Sequence, residues 1–234
     1  MNLPRVHVVS TGWAHATAGL CRSSVKAQVG VEVTHTYVEA SEQRPARTKV
    51  ENLLEVIRKL KPTDVCALVD GDDWLPHRRC LARVAMAHAE GAWVTYGSFV
   101  NSDGSPGFAA PYRPDEDYRT TPWRMTHLKT FRAGLFQRID PAHLHYPSDA
   151  RGRCTTPDAA VEQRWVDRAD DPAFMFPIAE MAGRDRVQYL RDCLYCYNEA
   201  GGWHRTAPAQ QLEHQARIEA YVRSLPEYQR IEVL

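Results

Sequence analysis

The sequence predicts a parallel α/β sheet with helices on both faces. Three observations predict it. Short apolar or alternating strand-like runs alternate with amphipathic helical runs over the first hundred residues. The most acidic short stretch, Asp70-Gly71-Asp72-Asp73, falls at the carboxyl end of an apolar run. Ligands of open α/β sheets sit beyond that end of the strands.

Val6 to Ser10 is a short buried strand, followed by a turn-like stretch over Thr11 to Ala18 and a helix from Gly19 to Gln28. Val31 to Val38 alternates as a second strand, and the polar run Ser41 to Arg47, with Pro45, is a loop. Val50, Leu53, Leu54, Ile57 and Leu60 form one apolar helical face, and Pro62 ends that helix. Val65 to Val69 is the strand that carries the aspartates. A helix follows Pro76 with Leu81, Val84, Ala85 and His88 on one side, and Trp93 to Phe99 is another strand.

From Asn101 to Pro157 the periodicity is poor, and Pro, Gly, Tyr and Arg are frequent. This region reads as long functional loops interrupted by a helix over His127 to Arg138. Phe174 to Gly183 reads as helix and Val187 to Tyr197 as strand. Gln210 to Leu225 reads as a terminal amphipathic helix that buries Leu212, Ala216, Tyr221, Val222 and Leu225.

Composition bounds the function classes. The 234 residues suit one domain with an extension, and 44% hydrophobic residues suffice for one core. Lys+Arg and Asp+Glu are both 29, so no global field draws the chain to nucleic acid or an anionic membrane. Of six cysteines only Cys193 and Cys196 are suggestively spaced, without a second pair for zinc. Reduced cysteines and the absence of a signal-like or membrane-length apolar run set the expectation of a cytoplasmic protein of a bacterium or phage-infected host.

Three carboxylates within four residues repel one another unless a cation sits among them. Hard oxygen ligands suit Mg²⁺ or Mn²⁺, held by one or two carboxylates plus substrate phosphates. The same residues also read as a solvated turn in which Asp72 or Asp73 caps the next helix.

The run Val-Asp-Gly-Asp-Asp-Trp-Leu-Pro at 69–76 resembles the Asp-x-Asp motif of GT-A-fold glycosyltransferases, especially inverting family 2 and its relatives. Further segments resemble that group in order: 8–11, 24–28, His-Leu-Lys-Thr-Phe-Arg at 127–132, 176–183 and 194–198. The resemblance spans about residues 5–205. It implies a GT-A-type, Rossmann-like mixed sheet, mostly parallel and flanked by helices. Residues 1–100 would form the nucleotide-sugar half, 101–205 the acceptor half, and 206–234 a C-terminal helical extension. It also implies a metal-dependent, inverting transfer from a nucleotide diphosphate sugar, UDP-linked, to an acceptor hydroxyl.

By position, the resemblance assigns Asp70 to the donor ribose or the metal and Asp72 to the metal, with Asp73 structural. Thr11 and Trp13 fall near the base and ribose, and Glu39 near the nucleoside. Lys129 and His127 face the donor sugar or diphosphate, as does Arg132 unless it is a surface residue. His204, after a Gly-Gly turn, is a late metal ligand or an exposed loop histidine. Glu180 is the expected general base, because its charge interrupts the apolar run 174–182 and the family places an acid there; the alternative is a surface glutamate. Asp171, with Asp170, is the second choice.

The arginines at 113, 119, 124, 151 and 153, interleaved with Tyr112, Tyr118, Trp123 and Tyr146, fit a nucleic-acid acceptor such as hydroxymethylated DNA. An ordinary solvated loop fits them as well, with a glycan or small molecule as acceptor. Two other functions remain: a nucleotidyltransferase, disfavoured by a first loop with one glycine and no cation before Arg22, and a non-catalytic nucleotide-sugar-binding module.

Overall fold

A computed structural model of the chain describes residues 3–13, 17–40, 47–147, 165–199 and 208–234. Six strands form one sheet: β1 (Val6–Trp13), β2 (Val33–Ala40), β3 (Val65–Leu68), β4 (Val94–Asn101), β5 (Lys129–Arg132) and β6 (Val187–Tyr197). Their order is β2-β1-β3-β5-β4-β6. The β1–β2, β1–β3 and β4–β6 pairs are parallel, and β5 runs antiparallel to both β3 and β4. The sheet is thus mixed and mostly parallel, as expected.

Alternation in the strands sorts side chains onto the two faces. Val6, Val8, Val65, Ala67 and Val69 face a core with helices α1 (Ala18–Lys26) and α3 (Cys80–Ala89). Val9, Cys66, Leu68 and Phe131 face a larger core. That core is closed by α2 (Lys49–Ile57), α4 (Ala133–Gln137), α5 (Asp170–Ala182) and α6 (Ala209–Ser224).

Two expectations are corrected. The stretch 127–138 is not one helix: it is strand β5 followed by the short helix α4. Leu128, Phe131 and Leu135 have helical spacing, which conceals a four-residue strand whose central residues are fully buried. Strand β1 also continues through Trp13, where a turn was expected from Thr11.

The terminal helix buries Val222 as expected, but with different companions. His214, Ile218 and Val222 are buried, Leu212 is 43% exposed, and Ala216 is exposed. Ile218 and Val222 belong to the same core as α5, and Ile231 N–H donates to Met181 O at 2.9 Å. Residues 208–234 therefore pack onto the rest of the fold rather than trailing from it.

Candidate active site

The aspartate turn after β3 is held from three directions. Gly71 N–H donates to Thr11 O at 3.0 Å, Tyr37 Oη donates to Gly71 O at 3.1 Å, and Asp73 N–H donates to Asp70 O at 3.0 Å. Only glycine fits at 71: a Cβ there would lie 2.5 Å from Tyr37 Oη and 2.9 Å from Thr11 O. Close backbone approach is what glycine permits. Asp73 is buried, accepting from Tyr195 Oη at 2.6 Å and Asn198 N–H at 2.7 Å. Burial first, then Asp70 and Asp72, push its carboxyl up to about 8. Its bonds to Tyr195 and Asn198 tie the turn to the end of β6. Asp72 is half-buried on the same turn.

Two lysines join this turn to the start of α5. Lys49 follows Thr48, whose side chain accepts from Glu51 N–H while Glu51 accepts from Thr48 N–H, a capping box that fixes the first turn of α2. Lys49 Nζ lies 2.9 Å from Asp70, 3.1 Å from Asp171 and 3.8 Å from Asp170. Lys129, buried in β5, bonds the other oxygen of Asp171. The pleat makes this possible: Lys129 shares its face with Phe131, the face that α5 covers.

The charges shift one another. Burial opposes ionisation of Asp171, but Lys129 and then Lys49 outweigh it and hold the carboxyl far below its ordinary range. Asp70 is likewise held down, chiefly by Lys49 against its burial. Asp170 rises to about 6, mainly because burial outweighs the more distant Lys49. His127 stacks on Tyr195 with ring centroids 4.4 Å apart, and burial followed by Lys129 lowers it to about 3. It is neutral at pH 7, so its Nδ1 can accept from Lys129 Nζ at 3.3 Å.

A cleft of about 610 Å³ opens beside this cluster, at the carboxyl ends of β4 and β6. His127, Asp170 and Asp171 line it, together with Phe99, Asn101, Phe108, Trp123, Tyr197 and Glu199. The arrangement offers ionised carboxylates at a cleft wall, cations behind them, and an acidic turn adjoining.

The expected residues divide. Asp70, Asp171 and Lys129 come together, with Thr11 beside the turn and Trp13 at the end of the same strand. Glu39, at the end of β2, pairs with Arg22 at 3.0 Å, and Arg22 lies over Tyr37. His204, Arg151 and Arg153 lie outside the described residues.

Arg132 is corrected: β5 runs antiparallel, so Lys129 pairs with Leu68 at the site end and Arg132 with Val65 at the far end. There it donates to Thr63 O and His88 O.

Glu180 is also corrected. Its side chain is 8% exposed and receives both Nε and Nη2 of Arg119, at 2.6 and 2.9 Å, plus Tyr228 N–H at 2.9 Å. It lies ten residues beyond Asp170 on α5, roughly 15 Å along the axis. Its charge is explained by Arg119, not by a substrate.

The described arginines of the basic stretch each have an acidic partner. Arg113 pairs with Asp115 and Glu116, Arg124 with Glu116, and Arg119 with Glu180. Tyr118 and Tyr146 are buried. Sequence reasoning missed Lys49, although Thr48 and Glu51 three residues apart mark the helix start that presents it.

No family profile and no curated protein sequence matches the chain. Solved structures do. TarS 1–349 of S. aureus superposes with a TM-score of 0.56 at 12% identity, covering 94% of this chain and 71% of TarS 1–349. Its complex with UDP gives 0.56 at 13% identity over 94% and 65% of the two chains. The complex with UDP-GlcNAc gives 0.55 at 11% over 94% and 66%. A longer TarS structure is spanned for only 36% of its length. At such identity the likeness is one of fold: this chain shares the mixed α/β fold of TarS 1–349.

Proposed function

We propose that the chain is a glycosyltransferase that takes a sugar from a uridine diphosphate donor and passes it, with inversion, to an acceptor hydroxyl. One observation carries the reading. The Asp70–Asp73 turn and the Asp170–Asp171 pair meet across Lys49 and Lys129 beside an open cleft, at the carboxyl end of a GT-A sheet. TarS, which shares that fold, has been crystallised with UDP and with UDP-GlcNAc.

Asp171 is the base in this reading. It lines the cleft, is kept ionised, and is fixed through one hydrogen bond on each oxygen. Each oxygen retains a second lone pair for an acceptor hydroxyl. Asp171 takes the hydroxyl proton as the acceptor oxygen attacks the anomeric carbon. The bond from that carbon to the diphosphate breaks, and UDP leaves with the electron pair. Thr11, Trp13 and Glu39 border the nucleoside, while Asp70 and Lys129 border the ribose and diphosphate.

A divalent ion, Mn²⁺ or Mg²⁺, fits the chemistry of the aspartate turn. Asp72, half-buried on that turn between Asp70 and Asp73, would be its ligand. Among the described residues no three His, Cys, Asp or Glu side chains gather to hold an ion on their own. Donor phosphates would share its shell, the usual arrangement for magnesium, together with His204 as the late ligand that the family resemblance implies. When bound, the ion would supply positive charge to the departing diphosphate.

The test is UDP release from a panel of UDP-sugars with Mn²⁺, alongside calorimetric titration of UDP. Asp171→Asn is expected to lose about 10²- to 10⁴-fold in turnover while binding UDP as wild type does. Turnover within threefold of wild type removes Asp171 from the base role. Asp72→Ala is expected to abolish metal-dependent UDP binding.

A further inference from the structure

We infer that the acceptor is an uncharged, hydroxyl-rich molecule, a carbohydrate, whose ring rests on Phe108; the inference builds on the transferase reading. Phe108 is 66% exposed, the second most exposed large hydrophobic side chain among the described residues, and it stands on the rim of the cleft.

Its presentation is rigid. The β4 end turns back through Asn101 N–H to Ser105 O at 2.8 Å and Gly107 N–H to Phe99 O at 2.9 Å, with Val100 bridging Pro106. A Cβ on Gly107 would lie 2.4 Å from the Phe99 ring, so loop and ring are packed without slack. Phe99 in turn meets Phe108 edge-on, with centroids 5.7 Å apart. A held, largely exposed ring with few rotatable bonds suits stacking on the flat apolar face of a sugar.

The charge of the cleft's described lining selects against a polyanion. Asp167, Asp170, Asp171, Glu199 and Glu219 line it, against the single guanidinium of Arg168 among the described residues. The nearby cations are committed to those acids, Lys129 to Asp171 and Arg223 to Glu219 at 2.7 Å. A phosphodiester chain binds by displacing counterions onto exposed lysines and arginines, and it would meet carboxylates here. Carboxylates and the amides of Asn101 and Gln215 are instead the groups that exchange hydrogen bonds with hydroxyls.

The experiment titrates the full chain, by tryptophan fluorescence, with maltose, cellobiose, lactose and chitobiose and with a twelve-nucleotide oligothymidine, each with and without UDP and Mn²⁺. At least one disaccharide is expected to bind saturably, the oligonucleotide not at all. Phe108→Ala should weaken the disaccharide by roughly tenfold and leave UDP binding unchanged. Saturable oligonucleotide binding, the absence of binding by every disaccharide, or an unchanged disaccharide affinity in Phe108→Ala overturns the proposal. The arms without nucleotide read sugar binding on its own, so a failure of UDP to bind counts against the donor reading separately.

Discussion

Replacing Glu180 by Gln is expected to unfold the protein more easily without harming the chemistry. Glu180 and Arg119 are 8% and 5% exposed and share two hydrogen bonds, at 2.6 and 2.9 Å. Every contact that Glu180 receives is a donor: two from Arg119 and the Tyr228 amide. An isosteric Gln removes the charge and turns one acceptor into a donor that faces donors. Breaking one side of a buried ion pair costs about 3–5 kcal/mol, because the other charge stays behind. At about 2–4 °C per kcal/mol for a chain of this size, the melting temperature should fall by roughly 6–20 °C. The Arg119→Met, Glu180→Leu double variant should cost less than the sum of the single changes, since no charge is left unpaired. The assay pairs thermal melts with turnover per folded molecule, measured well below both midpoints. A melting shift below about 2 °C, together with a turnover loss above about a hundredfold, would refute the reasoning and return Glu180 to the reaction.

Gly71→Ala places a Cβ against Tyr37 Oη and the Thr11 carbonyl; it is expected to cost about 1–3 kcal/mol in denaturant melts and to weaken UDP binding. Wild-type values for both would show that the turn yields freely. Lys49→Met removes an ammonium within 2.9–3.1 Å of Asp70 and Asp171; the acid limb of the kcat/KM profile should move up by about one pH unit or more, and a fixed limb would exclude Lys49 as their partner. Asp170 has a carboxyl raised to about 6 from 3.8. A raised carboxyl contributes its stability fully below the unfolded value and loses it as pH rises through the folded one, up to about 3 kcal/mol here. Asp170→Asn should therefore match wild type near pH 4 and melt higher at pH 7; equal melting at both pH values would contradict the shift.

The parts of this molecule that were legible in the sequence are those whose signal is local. Strand β3 is an unbroken apolar run, and its aspartates follow it directly. Helix α2 shows its face through Val50, Leu53, Leu54 and Ile57. Strand β5 was hidden because four residues carry no period of their own, and Lys129 and Thr130 are polar although buried. The polarity is satisfied across the sheet: Thr130 bonds His88 at 2.8 Å and Thr95 at 2.6 Å, and Lys129 bonds Asp171. Such partners lie tens of residues away and leave no mark on the segment itself. Glu180 misled for the same reason. A charge in an apolar run announces a partner, yet the sequence does not say whether that partner is a substrate or, as here, Arg119. The direction of β5, which sends Lys129 to the site and Arg132 to the opposite edge, is a property of the sheet alone.

The charge of the site makes one more demand. Asp70, Asp72, Asp73, Asp170 and Asp171 stand around Lys49 and Lys129, so acids outnumber ammonium groups even if Asp73 and Asp170 each keep a proton. Both lysines are already engaged. A diphosphate entering this half-buried place adds negative charge where it is least screened, and a like charge a few ångströms away costs several kcal/mol at an effective dielectric near 20. In the transferase reading, a cation that enters with the nucleotide offsets this cost, and the aspartate turn is where a hard cation finds oxygen ligands. UDP is therefore expected to bind saturably with millimolar Mn²⁺ and to lose at least about a hundredfold in affinity after chelation with EDTA, a loss that added Na⁺ does not restore. Calorimetry decides it: an affinity for UDP that chelation leaves intact would mean that the metal has no part in donor binding.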